Sequence, residues 1–146
     1  MRQDDADQAY EVLMSSLDEW YDRSVVDYFL MQWPSGQFVA VDLTGRVVGY
    51  IAGARLENGS ASVSLLAVSE GCRNMGIGTR LLQSLMAAAR ISGIGRVQLE
   101  VRDTNRTAVR FYQRRGFAVT EHLRGFYNDG GDGLRMAASP YTAGAT

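Results

Sequence analysis

The spacing of apolar positions changes several times along the chain, and each change marks an element. Near the start, Ala6, Ala9, Leu13, Leu17 and Trp20 recur every three to four residues, which predicts an amphipathic helix over about residues 5–20. A second helical stripe, Val25, Val26, Phe29 and Leu30, follows Ser24 as a candidate N-cap and stops at Trp33-Pro34-Ser35-Gly36. Three strand-like runs come next: Phe38 to Val41, Val47 to Ala54 and Ala61 to Val68. The first two are joined by a turn at Leu43-Thr44-Gly45, the last two by Asn58-Gly59, a strong short-range hairpin signal. Helical spacing returns with Leu81, Leu82, Leu85, Met86 and Ala89, predicting a helix over about residues 77–91 that ends at Ser92-Gly93. Val97 to Val101 then reads as a strand, so strand, helix and strand follow one another, which argues for parallel pairing. Asp103-Thr104-Asn105 opens a short helix closed by Gly116. Phe117 to Glu121 and Leu134 to Ala137 are the last strands, on either side of the turn-rich Asn128–Gly133 segment. The expectation is one α/β domain over residues 1–138, a mixed sheet with helices on both faces, and an unstructured tail over 139–146.

The segment between Val68 and Leu81 holds the first candidate chemistry. It is a loop with three glycines, Gly71, Gly76 and Gly78, running from a strand into a helix. Glycine lets backbone approach a ligand, and a helix N-terminus offers unpaired N–H groups and a partial positive charge, so the loop suits phosphate. A dinucleotide fingerprint would place its third glycine where Leu81 stands. A P-loop would need Gly-Lys-Ser/Thr after Gly71-x4, but Ile77-Gly78 follow Gly76 and the chain has no lysine. What remains is Arg73-x-x-Gly76-x-Gly78, or a plain strand-to-helix turn.

Composition narrows the class. At 146 residues, with 46% apolar and 21% charged residues, the chain is an ordinary globular domain with enough length for a core. Its net charge of −1 gives no bulk field to recruit nucleic acid or an anionic membrane. A single cysteine, Cys72, excludes an internal disulfide and fits a reducing compartment. No apolar run approaches a transmembrane length of about 18 residues, and the acidic Gln3-Asp4-Asp5 start is unlike a signal peptide. A cytoplasmic protein is expected. Nothing is spaced like a metal site.

A second block makes the loop specific: Leu99-Glu100-Val101-Arg102-Asp103-Thr104-Asn105-Arg106-Thr107-Ala108-Val109-Arg110-Phe111-Tyr112-Gln113-Arg114-Arg115-Gly116-Phe117. The two blocks in this order resemble the paired signatures of the GNAT superfamily of N-acetyltransferases, and the likeness covers roughly residues 38–137. Leu-Glu-Val-Arg together with Tyr112 is similar to the subgroup that acetylates protein N-termini, bacterial ribosomal-protein-alanine and archaeal enzymes among them. The resemblance implies the GNAT fold and acetyl-CoA as co-substrate, with no metal. It implies that Arg73, Asn74, Met75, Gly76, Ile77, Gly78 and Thr79 hold the diphosphate, that Leu66, Ala67 and Val68 hold the pantetheine arm, and that Asn105 contacts CoA. It also implies Glu100 as general base, Tyr112 as general acid, and Phe126-Tyr127 as aromatics that hold the acceptor backbone. Near the end, Gly131-Asp132-Gly133-Leu134-Arg135-Met136 keeps only the Asp and Met of the subgroup's Glu-Asp-Ala-apolar-x-Met, and Trp20-Tyr21-Asp22-Arg23 departs from the subgroup too. Both departures fall on the acceptor side.

The residue chemistry agrees without deciding. Glu100 lies between Leu99 and Val101 and faces the other side of its strand, either as a cleft wall or as a solvated glutamate. Tyr112 is a proton donor or a core tyrosine beside Phe111; Asn105 is a CoA contact, an N-cap, or both. Cys72 could form an acetyl-cysteine, but no partner base is placed by sequence; His122, the only histidine, reads as a surface or packing residue and not as a catalytic one. An α-amine, with a pKa of about 7.7–8.0, is neutral to about a tenth at pH 7, whereas a lysine side chain is neutral to less than about a thousandth, so a carboxylate base suits α-amines better. The expected reaction is direct acetyl transfer to the N-terminal α-amine of a protein or peptide. The rivals are a small amine acceptor (polyamine, amino acid or aminoglycoside) and a non-catalytic CoA-binding sensor. A homodimer is compatible with such a fold, with no nucleic-acid or membrane partner.

Overall fold

The structure, a computed structural model, describes residues 1–17 and 19–141. Two helices, α1 (Ala6–Ser16) and α2 (Ser24–Gln32), precede the meander β1 (Gln37–Val41), β2 (Val47–Arg55) and β3 (Ser60–Val68). Helix α3 (Ile77–Ile91), strand β4 (Arg96–Arg102), helix α4 (Arg106–Gln113), β5 (Ala118–Leu123) and β6 (Gly133–Ala138) complete it. The six strands form one sheet in the order β1-β2-β3-β4-β6-β5, antiparallel everywhere except between β3 and β4. The mixed sheet with helices on both faces is therefore as expected.

Most elements follow from local chemistry. Asn58 (φ 66°) and Gly59 (φ 72°) turn β2 into β3 with both central residues at positive φ, the conformation that Asn-Gly tolerates. The Asn105 carboxamide accepts from the Ala108 N–H (3.1 Å) and caps α4. Helix α1 is shorter than the periodicity predicts. It ends at Ser16, Leu17 is extended (ψ 148°), and Trp20 is 74% exposed instead of continuing the stripe; residue 18 lies outside the described residues. The Ser15 hydroxyl donates to the Val12 carbonyl and that of Ser16 to the Val68 carbonyl, so two serines compete with the helix for its last turn. Ser24 is not the cap of α2 but its first residue: its N–H and hydroxyl donate to Asp22 (2.9 and 2.7 Å), a charged and better acceptor two residues upstream. The expected tail starts docked, with Pro140 buried and its carbonyl accepting from Arg90 (3.2 Å); residues 142–146 lie outside the described residues.

Each face of the sheet has its own core. Ala9, Val12 and Leu13 of α1 and Val26 of α2 pack on Tyr50, Ala52, Leu65 and Ala67. On the other face the predicted stripe of α3 is buried against Ile51, Val63, Val97 and Leu99, with Trp33, Tyr112 and Phe117 alongside. A bulge at Ser64, where β2 pairs Ala52 with Leu65 but Gly53 with Val63, reverses the facing of β3. Ala61 and Val63 belong to the α3 core before it, Leu65 and Ala67 to the α1 core after it.

Gly49 and Gly53 of β2 let α3 lie close to the sheet. A Cβ at Gly53 would sit 2.7 Å from the Trp33 ring and 2.9 Å from Leu85. Gly53→Ala is expected to destabilise the fold by about 1–3 kcal/mol, the usual range for overpacking, as a lowered midpoint in urea with an unchanged slope. A wild-type midpoint would show that Trp33 has room to move.

Candidate active site

The site begins where the one parallel ladder stops. β3 and β4 pair only from Ser60–Arg96 to Ser62–Gln98, yet β3 runs on to Val68 and β4 to Arg102. Beyond Ser62 the strands part, and the β4-facing edge of β3 has no strand partner. A groove of about 440 Å³ and a second cavity of about 550 Å³ meet at this wedge. Ser16, Leu17, Leu66, Asn105, Ala108 and Tyr112 line both.

The groove is built on the glycine loop. Gly76 (φ 78°) caps α3 in a left-handed conformation, and the first bond of the helix runs from the Arg80 N–H to its carbonyl (3.0 Å). The N–H groups of Ile77, Gly78 and Thr79 make no hydrogen bond among the described residues and are free for an anion. A Cβ at Gly78 would meet the Phe111 ring of α4 at 3.4 Å. Leu66, Ala67, Val68, Arg73, Asn74, Gly76, Ile77, Gly78, Thr79 and Asn105 all line this groove. Met75 does not: its side chain is 69% exposed and borders a different hollow beside β1. Arg73 turns inward, donating to the Val68 carbonyl (3.2 Å) and towards that of Ser16 (3.4 Å). Arg115, which the sequence reading assigned no role, forms part of the wall. It donates from Nε to the Thr79 hydroxyl (2.8 Å) and lies 3.8 Å over the Phe111 ring. Burial, and then Arg114, pull its pKa below the ordinary value.

The second cavity is polar and aromatic. Glu100 lines it, on the strand face opposite the core residue Leu99. One carboxylate oxygen, Oε2, accepts from Arg135 Nε (3.1 Å); Oε1 makes no hydrogen bond among the described residues. Glu19 and Tyr21, just past α1, line the same space, and the Tyr21 hydroxyl donates to Glu19 (2.9 Å). Burial and that carboxylate push the Tyr21 phenol up to about 12. Tyr127 closes the far side, with Arg102 stacked 4.1 Å over its ring and held by Asp129 (3.1 Å). Phe126 packs edge-on against Tyr127 (5.0 Å), outside the cavity lining, and is 45% exposed.

Tyr112 stands at the junction, wedged edge-on between Phe111 (5.1 Å) and Phe117 (5.5 Å). Burial raises its phenol above the ordinary value, so it stays protonated at neutral pH. Cys72 borders the groove with no hydrogen bond to a base among the described residues, and His122 is exposed on β5. Among the described residues, no cluster of three His, Cys, Asp or Glu could hold a metal, and no helix is long and apolar enough to cross a membrane. Sequence reasoning assigned no role to Glu19, Tyr21, Arg115 or Arg135. The only signal for the first two was an acid beside aromatics at the end of the first apolar stripe.

The model of the acetyltransferase (GNAT) family matches residues 6–117. An uncharacterized N-acetyltransferase of Methanocaldococcus jannaschii is 36% identical over 90% of this chain and 84% of its own length. An N-alpha-acetyltransferase of Sulfurisphaera tokodaii is 35% identical over 92% of this chain and 87% of its own. The crystal structure of Ard1 from Thermoplasma volcanium superposes with a TM-score of 0.88 at 31% identity, covering 95% of this chain and 93% of that one.

A side chain at position 76 must adopt the left-handed conformation, at about 1–2 kcal/mol for an L-residue. If the loop holds the diphosphate of CoA, Gly76→Val is expected to weaken CoA binding by about tenfold or more by calorimetry, since a β-branched residue fits that region worst and the loop must shift its N–H groups to relieve it. Unchanged affinity would mean that the loop does not hold the diphosphate.

Proposed function

The chain belongs to the acetyltransferase (GNAT) family, and from that premise we propose that it transfers the acetyl group of acetyl-CoA directly to the N-terminal α-amine of a protein or peptide. One observation carries the reading: two cavities meet at the β3–β4 wedge, one built on the glycine loop and the other lined by Glu100, with Tyr112 shared by both. The 35% identity to an N-alpha-acetyltransferase supports the choice of acceptor.

The residues present suit such a donor. The free N–H groups of Ile77, Gly78 and Thr79 bind the diphosphate, with Asn74, Arg73 and Arg115 beside them, while Leu66, Ala67, Val68 and Asn105 line the path of the pantetheine arm. Backbone N–H groups on the unpaired edge of β3 polarise the thioester carbonyl. Tyr127 and Tyr21 flank the incoming N-terminus, and Phe126 steadies Tyr127. The amine nitrogen forms the bond to the acyl carbon, and the carbon–sulfur bond breaks. Glu100, through its free oxygen or one water, takes the proton from the nitrogen; Tyr112 gives one to the departing thiolate. Glu19, which lines the same cavity as Glu100, adds a second negative charge that attracts an ammonium group.

Glu100→Gln is expected to lower kcat by about 10²–10³-fold on a peptide with a small free N-terminus, and Tyr112→Phe by about 10–10²-fold, with little change in the KM for acetyl-CoA. Peptides with free N-termini are expected to turn over faster than spermine, read as CoA release. The rate should climb between pH 6 and 8 as the α-amine, pKa about 7.7–8.0, loses its proton. Because the Tyr112 phenol is raised, no alkaline fall from it is expected below about pH 10. Equal or faster turnover of spermine would move the acceptor to small amines. Binding of acetyl-CoA with no turnover on either panel would leave a sensor.

A further inference from the structure

Three strands place three charged residues in one row. Glu100 of β4 sits opposite Arg135 of β6, and Arg135 sits opposite Glu121 of β5. The guanidinium divides itself between its neighbours: Nε donates to Glu100 Oε2 (3.1 Å) and Nη1 to Glu121 Oε1 (2.9 Å). The inner pair is the drier one. Arg135 and Glu100 side chains are 27% and 28% exposed, against 55% for Glu121.

We infer that Arg135 is a positioning residue that fixes the rotamer of Glu100, holding one carboxylate oxygen so that the other is presented to the acceptor nitrogen. The inference rests on Glu100 acting as the base. A glutamate has three rotatable side-chain bonds, and a base displaced by about 1 Å can lose about 10²-fold in rate. Bonded at Oε2, Glu100, which lines the cavity, keeps Oε1 free of hydrogen bonds among the described residues. Arginine alone would tend to close on a carboxylate with both arms and occupy both oxygens. Glu121 draws the guanidinium the other way through Nη1, and Nη2, the second arm on the Nε side, makes no hydrogen bond to Glu100 among the described residues, so Glu100 is gripped once and not twice. Arg135 itself stays charged, its pKa raised by the bond to Glu100 first and by Glu121 after it.

The test is a set of variants assayed with acetyl-CoA and a peptide acceptor: Arg135→Leu, Arg135→Lys, Glu100→Gln and the Arg135→Leu/Glu100→Gln double. Arg135→Leu is expected to lower kcat by about 10–10²-fold with the KM for acetyl-CoA within about twofold of wild type. Arg135→Lys, a single-point donor, should recover much of that loss but not all. The double variant should be no slower than Glu100→Gln alone within about twofold, because the arginine has nothing left to position. If Arg135→Leu does not fold, Arg135→Lys and the double variant, which orphans only the exposed Glu121 carboxylate and not the half-buried one, carry the same comparison. Full activity of Arg135→Leu, or of Arg135→Lys where only that variant folds, beside a crippled Glu100→Gln overturns this inference and leaves the proposed reaction standing. Losses that add in the double variant overturn it too. An active Glu100→Gln brings down the base itself, a failure distinct from the other two.

Discussion

The structure depends on the place where β3 and β4 stop pairing. A parallel ladder that continued to Val68 and Arg102 would close the sheet, and the two faces would be sealed from one another. It stops after Ser62 and Gln98. The strand edges beyond that point have unpaired peptide groups, which cost free energy in a dry environment and so must face water, side chains or a ligand. Here the Val68 carbonyl is satisfied by the Ser16 hydroxyl and by Arg73. Side chains have replaced the missing strand at its far end, and the cavities occupy the middle. The Ser64 bulge assists, since it turns Leu66 towards the wedge while Leu65 stays in the α1 core.

The wedge lets one tyrosine serve both the structure and the proposed chemistry. Tyr112 is packed by Phe111 and Phe117 on the α3 side, yet it borders the cavity that opens on the α1 side. A phenol held this tightly keeps one position and one protonation state, both useful in a donor that must act once per turnover. The cost is a weaker acid than free tyrosine, because burial penalises the phenolate. In the proposed reaction, proximity to the leaving sulfur has to offset that weakness.

What was legible in the sequence was what is local. The stripe of α3, the Asn58-Gly59 turn, the Asn105 cap and the glycine loop depend on neighbours within a few residues, and each stands where the pattern put it. Strand alternation put Glu100 off the core face for the same reason. What failed to show depends on distant pairing. Arg135 meets Glu100 only because β6 inserts between β4 and β5, an order that no chain-local signal encodes. Glu19 was concealed by a helix read too long, since hydroxyls of Ser15 and Ser16 that end α1 look, in sequence, like neutral helix positions. Met75 shows the converse limit: a motif can name a loop residue without saying where its side chain turns.

The charges around the second cavity give the proposed reaction a direction. Two carboxylates, Glu19 and Glu100, and one guanidinium, Arg102, line it, and Arg102 is already tied to Asp129 just as Arg135 behind Glu100 is tied to Glu121. The imbalance attracts a cation, and at neutral pH most α-amines arrive as one. Acetylation ends that attraction, because the nitrogen leaves as a neutral amide. The same local field that gathers the acceptor therefore has no hold on the product, and the aromatic contacts of Tyr21 and Tyr127 are what remain to be broken on release.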